Sequence, residues 1–184
     1  MRLFIAVNIS ERSRELIARK VKLLKKELNP KLKWIKKENW HLTLKFLGEC
    51  TEEQKEEIIE KLEEIEIRTS LEYIQFNSLN AFPNLKEPRV IFLEVVKGSE
   101  FLEQCKEIIE REMIKLGFKR DDREFTAHLS LARNKKSASI DFKDIFLDKN
   151  FINIYSKLNT ISLYQSKLHP AGPEYIELFS KKIQ

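Results

Sequence analysis

The sequence predicts an α+β fold of two similar lobes, and three observations carry that expectation. Apolar periodicity orders the elements as β, α, β, β, α, β, β, α, β, with a strand-rich end. Antiparallel runs interrupted by crossing helices fit α+β better than a doubly wound parallel sheet. No Pro/Gly-rich linker divides the 184 residues, so we expect a single two-lobed domain over residues 1–184. Two short segments also repeat each other, Trp40-His41-Leu42-Thr43-Leu44 and Ala127-His128-Leu129-Ser130-Leu131. The repeat implies a duplication in which each lobe gives one central strand with its histidine. Facing lobes would then bring both histidines to one cleft.

Leu3 to Ile9 reads as a buried first strand. Ser10 caps a helix through Leu28, with Ile17, Val21, Leu24 and Leu28 on one face and Asn29-Pro30 as its stop. Residues 31–36 alternate imperfectly and form a short strand leading into a strand from His41 to Leu47. Thr51 caps a second helix, with Glu53 and Gln54 in its first turn and Ile58, Ile59, Leu62 and Ile65 as its buried stripe. Strands follow at Leu71 to Leu79 and Arg89 to Val96. Ser99 opens a third helix with the stripe Leu102, Cys105, Ile109, Met113 and Leu116, which Gly117 ends. After the His128 strand, Lys135 to Asn150 reads as a polar loop with a helical turn near Phe142 to Phe146. Strands at Ile152 to Lys157, Thr160 to Lys167 and Tyr175 to Phe179 complete the chain, the last two joined by His169-Pro170-Ala171-Gly172-Pro173.

Composition narrows the function classes. A hydrophobic fraction of 42% with 12 phenylalanines argues for a packed core and against disorder. No apolar run is long enough to cross a bilayer, and the apolar stretch at the N-terminus is too short for a signal peptide, so a cytoplasmic protein is expected. Cys50 and Cys105 are isolated, which argues against zinc or a disulfide framework. A net charge of +5 suits an anionic ligand such as nucleic acid, although the charge is spread rather than blocked.

The repeated motif carries the chemistry. On a strand, side chains two apart share a face, so His41 lies beside Thr43 and His128 beside Ser130, with the leucines opposite. A strand needs no histidine on its polar face in order to fold, yet two of the three histidines stand in this context. One neutral imidazole can take a proton from water while one protonated imidazole gives a proton to a leaving oxygen. The Thr43 and Ser130 hydroxyls can donate to non-bridging phosphate oxygens. Arg133 has the fork that suits phosphate, but its odd offset from His128 puts it on the opposite face of a regular strand. His169, in a Pro/Gly turn without a hydroxyl partner, reads as an exposed turn residue. Two histidines without a third clustered ligand make a metal site unlikely, so metal-independent chemistry without a cofactor is expected.

The chain resembles the two-histidine phosphoesterase superfamily, and more closely its RNA 2′,3′-cyclic phosphodiesterase branch, first described as 2′–5′ RNA ligases. The resemblance rests on Arg2-Leu3-Phe4-Ile5-Ala6-Val7, His41-Leu42-Thr43-Leu44-Lys45-Phe46-Leu47-Gly48-Glu49 and Phe125-Thr126-Ala127-His128-Leu129-Ser130-Leu131-Ala132-Arg133. Ser162 to Leu168 and Gly172-Pro173-Glu174-Tyr175 extend it to nearly the whole chain. It implies a bilobal α+β fold with antiparallel sheets facing across a central cleft and helices outside. It makes His41 and His128 the catalytic pair, Thr43 and Ser130 the phosphate-binding hydroxyls, and Arg133 the arginine after the second motif. Ser130 departs from the threonine usual there but keeps the hydroxyl.

The implied activity is opening of an RNA-terminal 2′,3′-cyclic phosphate to a 2′-phosphomonoester, with reversible 2′–5′ RNA ligation at the same site. The implied partners are RNA ends, tRNA fragments among them, and a nucleotide in the cleft of a monomer that binds no membrane. Two alternatives remain open at this point: a phosphodiesterase for a small cyclic nucleotide or a nucleotide-sugar cyclic phosphate, and an RNA-binding module without turnover.

Overall fold

The computed structural model describes residues 1–27, 32–69, 71, 73–134, 152–170 and 172–184. The helix stop at Leu28-Asn29-Pro30, the strand start at Lys31, the 135–150 segment and Ala171 lie outside them.

Among the described residues, nine strands and three helices follow in order: β1 (Arg2–Ile9), α1 (Glu11–Glu27), β2 (Lys33–Trp34), β3 (Leu42–Glu49), α2 (Glu52–Glu64), β4 (Ile74–Phe82), β5 (Val90–Lys97), α3 (Ser99–Lys115), β6 (His128–Arg133), β7 (Ile154–Ser156), β8 (Leu158–His169) and β9 (Gly172–Lys182). A 3₁₀ turn, Lys37–Asn39, precedes β3. The strands form two antiparallel sheets, ordered β3-β1-β8-β9 and β2-β6-β5-β4-β7. This is the predicted α+β architecture of two lobes.

Local signals set the helix ends. The Ser10 hydroxyl accepts from the Ser13 amide at 3.3 Å. Thr51 and Gln54 form a reciprocal capping box at the start of α2, satisfying two amides that the first turn would leave without partners. Gly117, at φ +86°, takes the left-handed position past α3 that a side chain resists.

Two strand expectations need correction. The strand expected at 71–79 starts at Ile74 and runs to Phe82. The histidine strands are not both central: β6 is internal, between β2 and β5, but β3 is the edge of its sheet. The centre goes to β1, where Leu3 to Val7 are all buried. A strand apolar on both faces gains most from having neighbours on both sides.

The core is continuous. Ile5, Val7 and Leu163 from the first sheet join Ile91, Leu93, Leu129 and Leu131 from the second in one apolar cluster. Helix α3 packs against both β3 and β5, α1 against β7 and α2 against β9. The core lies under one face of each sheet and leaves the opposite faces for polar and aromatic side chains.

Candidate active site

Register decides what faces the cleft in the first lobe. Ala6 pairs with Thr43 on one side and Ser162 on the other, and Phe4 with Phe46 and Tyr164. Cross-strand partners point to the same face, so Thr43, Phe46, Phe4 and Tyr164 share one surface. The pairs Tyr164–Glu177 and Ser166–Tyr175 add β9 to it. The strand register slips between Ile5 and Ala6, leaving Leu44 as an extra residue, so Lys45 turns under the sheet while Phe46, 61% exposed, stays on the Thr43 side. His41 stands one residue before β3 rather than within it.

In the second lobe the same device resolves the odd offset of Arg133. On β5, Glu94 pairs with His128, Phe92 with Ser130, Ile91 with Ala132 and Val90 with Arg133. The register slips between Ile91 and Phe92, so Leu131 is the extra residue of a β-bulge. Val90, Phe92 and Glu94 alternate regularly, and their partners Arg133, Ser130 and His128 therefore occupy one face. The bulge brings Arg133 to the histidine side, where a regular strand would have pointed it away.

Aromatic rings wall both histidines. His41 lies 4.7 Å from Phe4, 5.1 Å edge-on from Tyr175 and 6.0 Å from Tyr164 between ring centroids. His128 lies 5.0 Å from both Phe82 and Phe92. Burial disfavours the charged imidazole and pulls His41 down to about 4, assisted by the nearby positive charges of Arg14 and His128 and opposed by a hydrogen bond to the Asn39 backbone. His128 is also held below the usual imidazole range by burial, against a hydrogen bond to the Thr126 backbone. Its Nδ1 lies 2.6 Å from the Thr126 carbonyl. Donation there leaves Nε2 of the neutral ring with its lone pair free.

The two lobes meet electrostatically at this point. The charge of His128 acts on His41. That of Arg133 acts on Tyr175, whose ring packs edge-on against His41. Beside His41, the Tyr164 phenol is pushed up to about 12, chiefly by burial, and it donates to Asn8 Oδ1 at 2.8 Å and Glu177 Oε2 at 3.0 Å. His169 sits apart at the end of β8, its Nε2 3.0 Å from Glu174. Cys50 and Cys105 are buried free thiols, and burial pushes Cys105 up to about 12, the state of an inert core thiol.

Sequence reasoning missed the aromatic walls, Asn8 and Arg14. Their signal was weak: Phe4, Tyr164 and Tyr175 lay inside the resembling segments, but their gathering around His41 depends on pairing between β1, β8 and β9.

Two partly buried imidazoles, one from each lobe, with hydroxyls and a guanidinium on the same faces, make a set that can move protons at a bound anion. The sequence model described as LigT-like phosphoesterase matches residues 7–92. The chain is 36% identical to an RNA 2′,3′-cyclic phosphodiesterase of Archaeoglobus fulgidus over 183 residues, covering 97% of this chain and 98% of that one. It is 37% identical to the enzyme of that name from Methanocaldococcus jannaschii over 181 residues, covering 95% and 96%. Among solved structures, a Thermus thermophilus protein superposes with a TM-score of 0.76 at 25% identity, covering 100% of this chain and 98% of that one. Escherichia coli LigT complexed with 3′-AMP shares the fold, with a TM-score of 0.76, 21% identity and coverage of 99% and 97%. The chain belongs to the family of the RNA 2′,3′-cyclic phosphodiesterases.

Proposed function

We propose that the protein hydrolyses RNA-terminal 2′,3′-cyclic phosphates to 2′-phosphomonoesters through His41 and His128. The observation that carries this reading is a pair of separately anchored imidazoles, His41 just before β3 and His128 at the start of β6, each with a hydroxyl two residues on. The relatives' activity on RNA cyclic phosphate ends supports the substrate class.

A neutral imidazole of the pair removes a proton from water as its oxygen bonds to phosphorus. The P–O3′ bond breaks, and the other imidazole, protonated, gives its proton to the departing 3′-oxygen. Thr43 and Ser130 donate to the non-bridging oxygens, and Arg133 adds charge-assisted donors to the phosphate. The anionic substrate itself favours imidazolium, supplying the protonated partner that burial alone disfavours. With a 5′-hydroxyl in place of water as the nucleophile, the same proton transfers break the P–O3′ bond and leave a 2′–5′ bond, and that step is reversible. Among the described residues no three His, Cys, Asp or Glu side chains gather as a metal-ligand set, and no step here is routed through a metal. We propose that it acts on single RNA ends as one catalytic domain, a monomer in the cytoplasm.

The test is incubation of the protein, in EDTA, with an oligoribonucleotide bearing a 2′,3′-cyclic end, followed by identification of the product. A 2′-phosphate end supports the proposal. An intact cyclic end contradicts it, and turnover restored only by a divalent ion contradicts its metal independence.

A further inference from the structure

His41 is not held by its own strand. It follows the 3₁₀ turn Lys37–Asn39, and that turn is fastened from two sides. The Lys37 carbonyl, which accepts the Trp40 amide at 3.2 Å, also accepts Arg14 Nη1 from α1 at 2.8 Å. Asn39 donates from Nδ2 to the Pro173 carbonyl at 2.9 Å, fixing the turn to β9, and the Asn39 backbone hydrogen-bonds the His41 ring. Arg14 Nη2 reaches Asn8 Oδ1 at 3.5 Å, the same oxygen that accepts the Tyr164 phenol.

We propose that Arg14 is a positioning residue for His41: its guanidinium fixes the turn that presents the imidazole and keeps a permanent positive charge beside the ring. The inference rests on the two-histidine reading above. Arg14 has 13% of its side chain exposed and, among the described residues, a single distant counter-charge, Glu11 at 3.9 Å from Nε. Both terminal nitrogens point to protein acceptors, so the fork is engaged in holding structure and is not free to take a phosphate as its bidentate partner. The other described titratable or charged groups on these faces are Tyr164 from β8, Tyr175 and Glu177 from β9, His128 and Arg133 from β6, Lys33 from β2, and Glu94 from β5, whose carboxylate accepts from Ser78 and Asn80. The carboxylate of Glu177 is engaged by Tyr164 and Asn8, which leaves Arg14 as a cation whose charge acts on His41 from its own lobe. Removing that charge makes protonation of His41 easier, so its titration midpoint moves upward.

The experiment combines kinetics with nuclear magnetic resonance titration of the His41 ring, which needs no turnover. Arg14→Gln is expected to lower kcat about 10-fold or more with KM held, the signature of a misplaced proton carrier, and to raise the His41 midpoint. Arg14→Lys, which keeps charge but loses the fork, should keep the midpoint near that of the unaltered protein while kcat still falls. Asn39→Ala, which frees the turn from β9 and leaves Arg14 in place, should lower kcat without moving the midpoint. An Arg14→Gln protein with unaltered kcat and His41 titration overturns the inference. A raised KM at constant kcat overturns it too, since that would make Arg14 a substrate ligand. If Arg14→Gln does not fold, the Arg14→Lys and Asn39→Ala measurements decide by the same criteria. Absence of cyclic phosphate hydrolysis by the unaltered protein would instead sink the two-histidine reading, leaving the titration to report on Arg14.

Discussion

Arg133 shares a face of β6 with His128 although it stands at an odd offset from it, because Leu131 is an unpaired extra residue in the register with β5. A guanidinium so placed offers two parallel charge-assisted donors to a phosphate, which a lysine cannot reproduce.

Arg133→Ala should therefore lower kcat/KM by about 10- to 100-fold, in line with the loss of one charge-assisted hydrogen bond of roughly 1.5–3 kcal/mol. Arg133→Lys should recover only part of that loss. Steady-state kinetics on an oligonucleotide with a 2′,3′-cyclic end checks both, and full activity in Arg133→Lys would show that point charge alone suffices.

Ser130→Thr restores the side chain usual in the family and keeps the hydroxyl, so kcat/KM should stay near that of the unaltered protein. Ser130→Ala removes the hydroxyl proposed to donate to the non-bridging oxygens and should cost about 10-fold or more, by analogy with the loss of one transition-state donor. Equal rates in the alanine and threonine variants would remove the hydroxyl from the mechanism.

The pH dependence follows from burial. Burial holds both imidazoles below the ordinary range, His41 pulled down to about 4 and His128 lowered as well. The profile of kcat/KM, which reports the free enzyme, should be bell-shaped with its maximum on the acid side of the usual imidazole value of about 6.5. Bound phosphate favours imidazolium, so both limbs should move to higher pH in kcat. The limbs belong to the coupled pair and not to single residues. Coincident limbs in the two profiles would show that the substrate anion does not act on the histidines.

Beneath the first sheet, Lys45 Nζ and Glu110 Oε1 lie 2.5 Å apart, each about 1% exposed. Glu110 also accepts the Asp121 amide at 3.0 Å, and Lys45 donates to the Lys119 carbonyl at 2.9 Å, so the pair ties β3 to α3 and the segment after it. Lys45→Met leaves a buried carboxylate without its cation and should cost about 3–5 kcal/mol of stability. Combining it with Glu110→Leu should recover much of that loss, because apolar side chains of similar volume replace the pair without a stranded charge. Denaturant unfolding of the three proteins checks the prediction, and equal stability of Lys45→Met and the unaltered protein would contradict it.

The sequence contained the element order, the caps at Ser10, Thr51 and Gly117 and the pairing of histidine with hydroxyl, because each depends on residues a few positions apart. It did not contain the bulges at Leu44 and Leu131. Period-two alternation assumes an unbroken ladder, so it put Arg133 behind His128. The bulge at Leu131 brings Arg133 forward, and the bulge at Leu44 leaves Lys45 buried. Which strand would be central was also hidden, since a run from Leu3 to Val7 reads only as buried until its two neighbours are known. The ring cage of His41 draws on β1, β8 and β9, and no local pattern links Phe4 to Tyr164 and Tyr175.

The most direct test of the two-histidine site is single-turnover hydrolysis of an oligoribonucleotide 2′,3′-cyclic end by His41→Ala, His128→Ala and the double variant. Each single change should slow the chemical step by about 100-fold or more, the usual worth of a positioned proton carrier. The double variant should be little slower than the poorer single one, because the two act as a unit. Near-normal turnover in either single variant would contradict the account, since it would leave one side of the phosphate without its proton carrier.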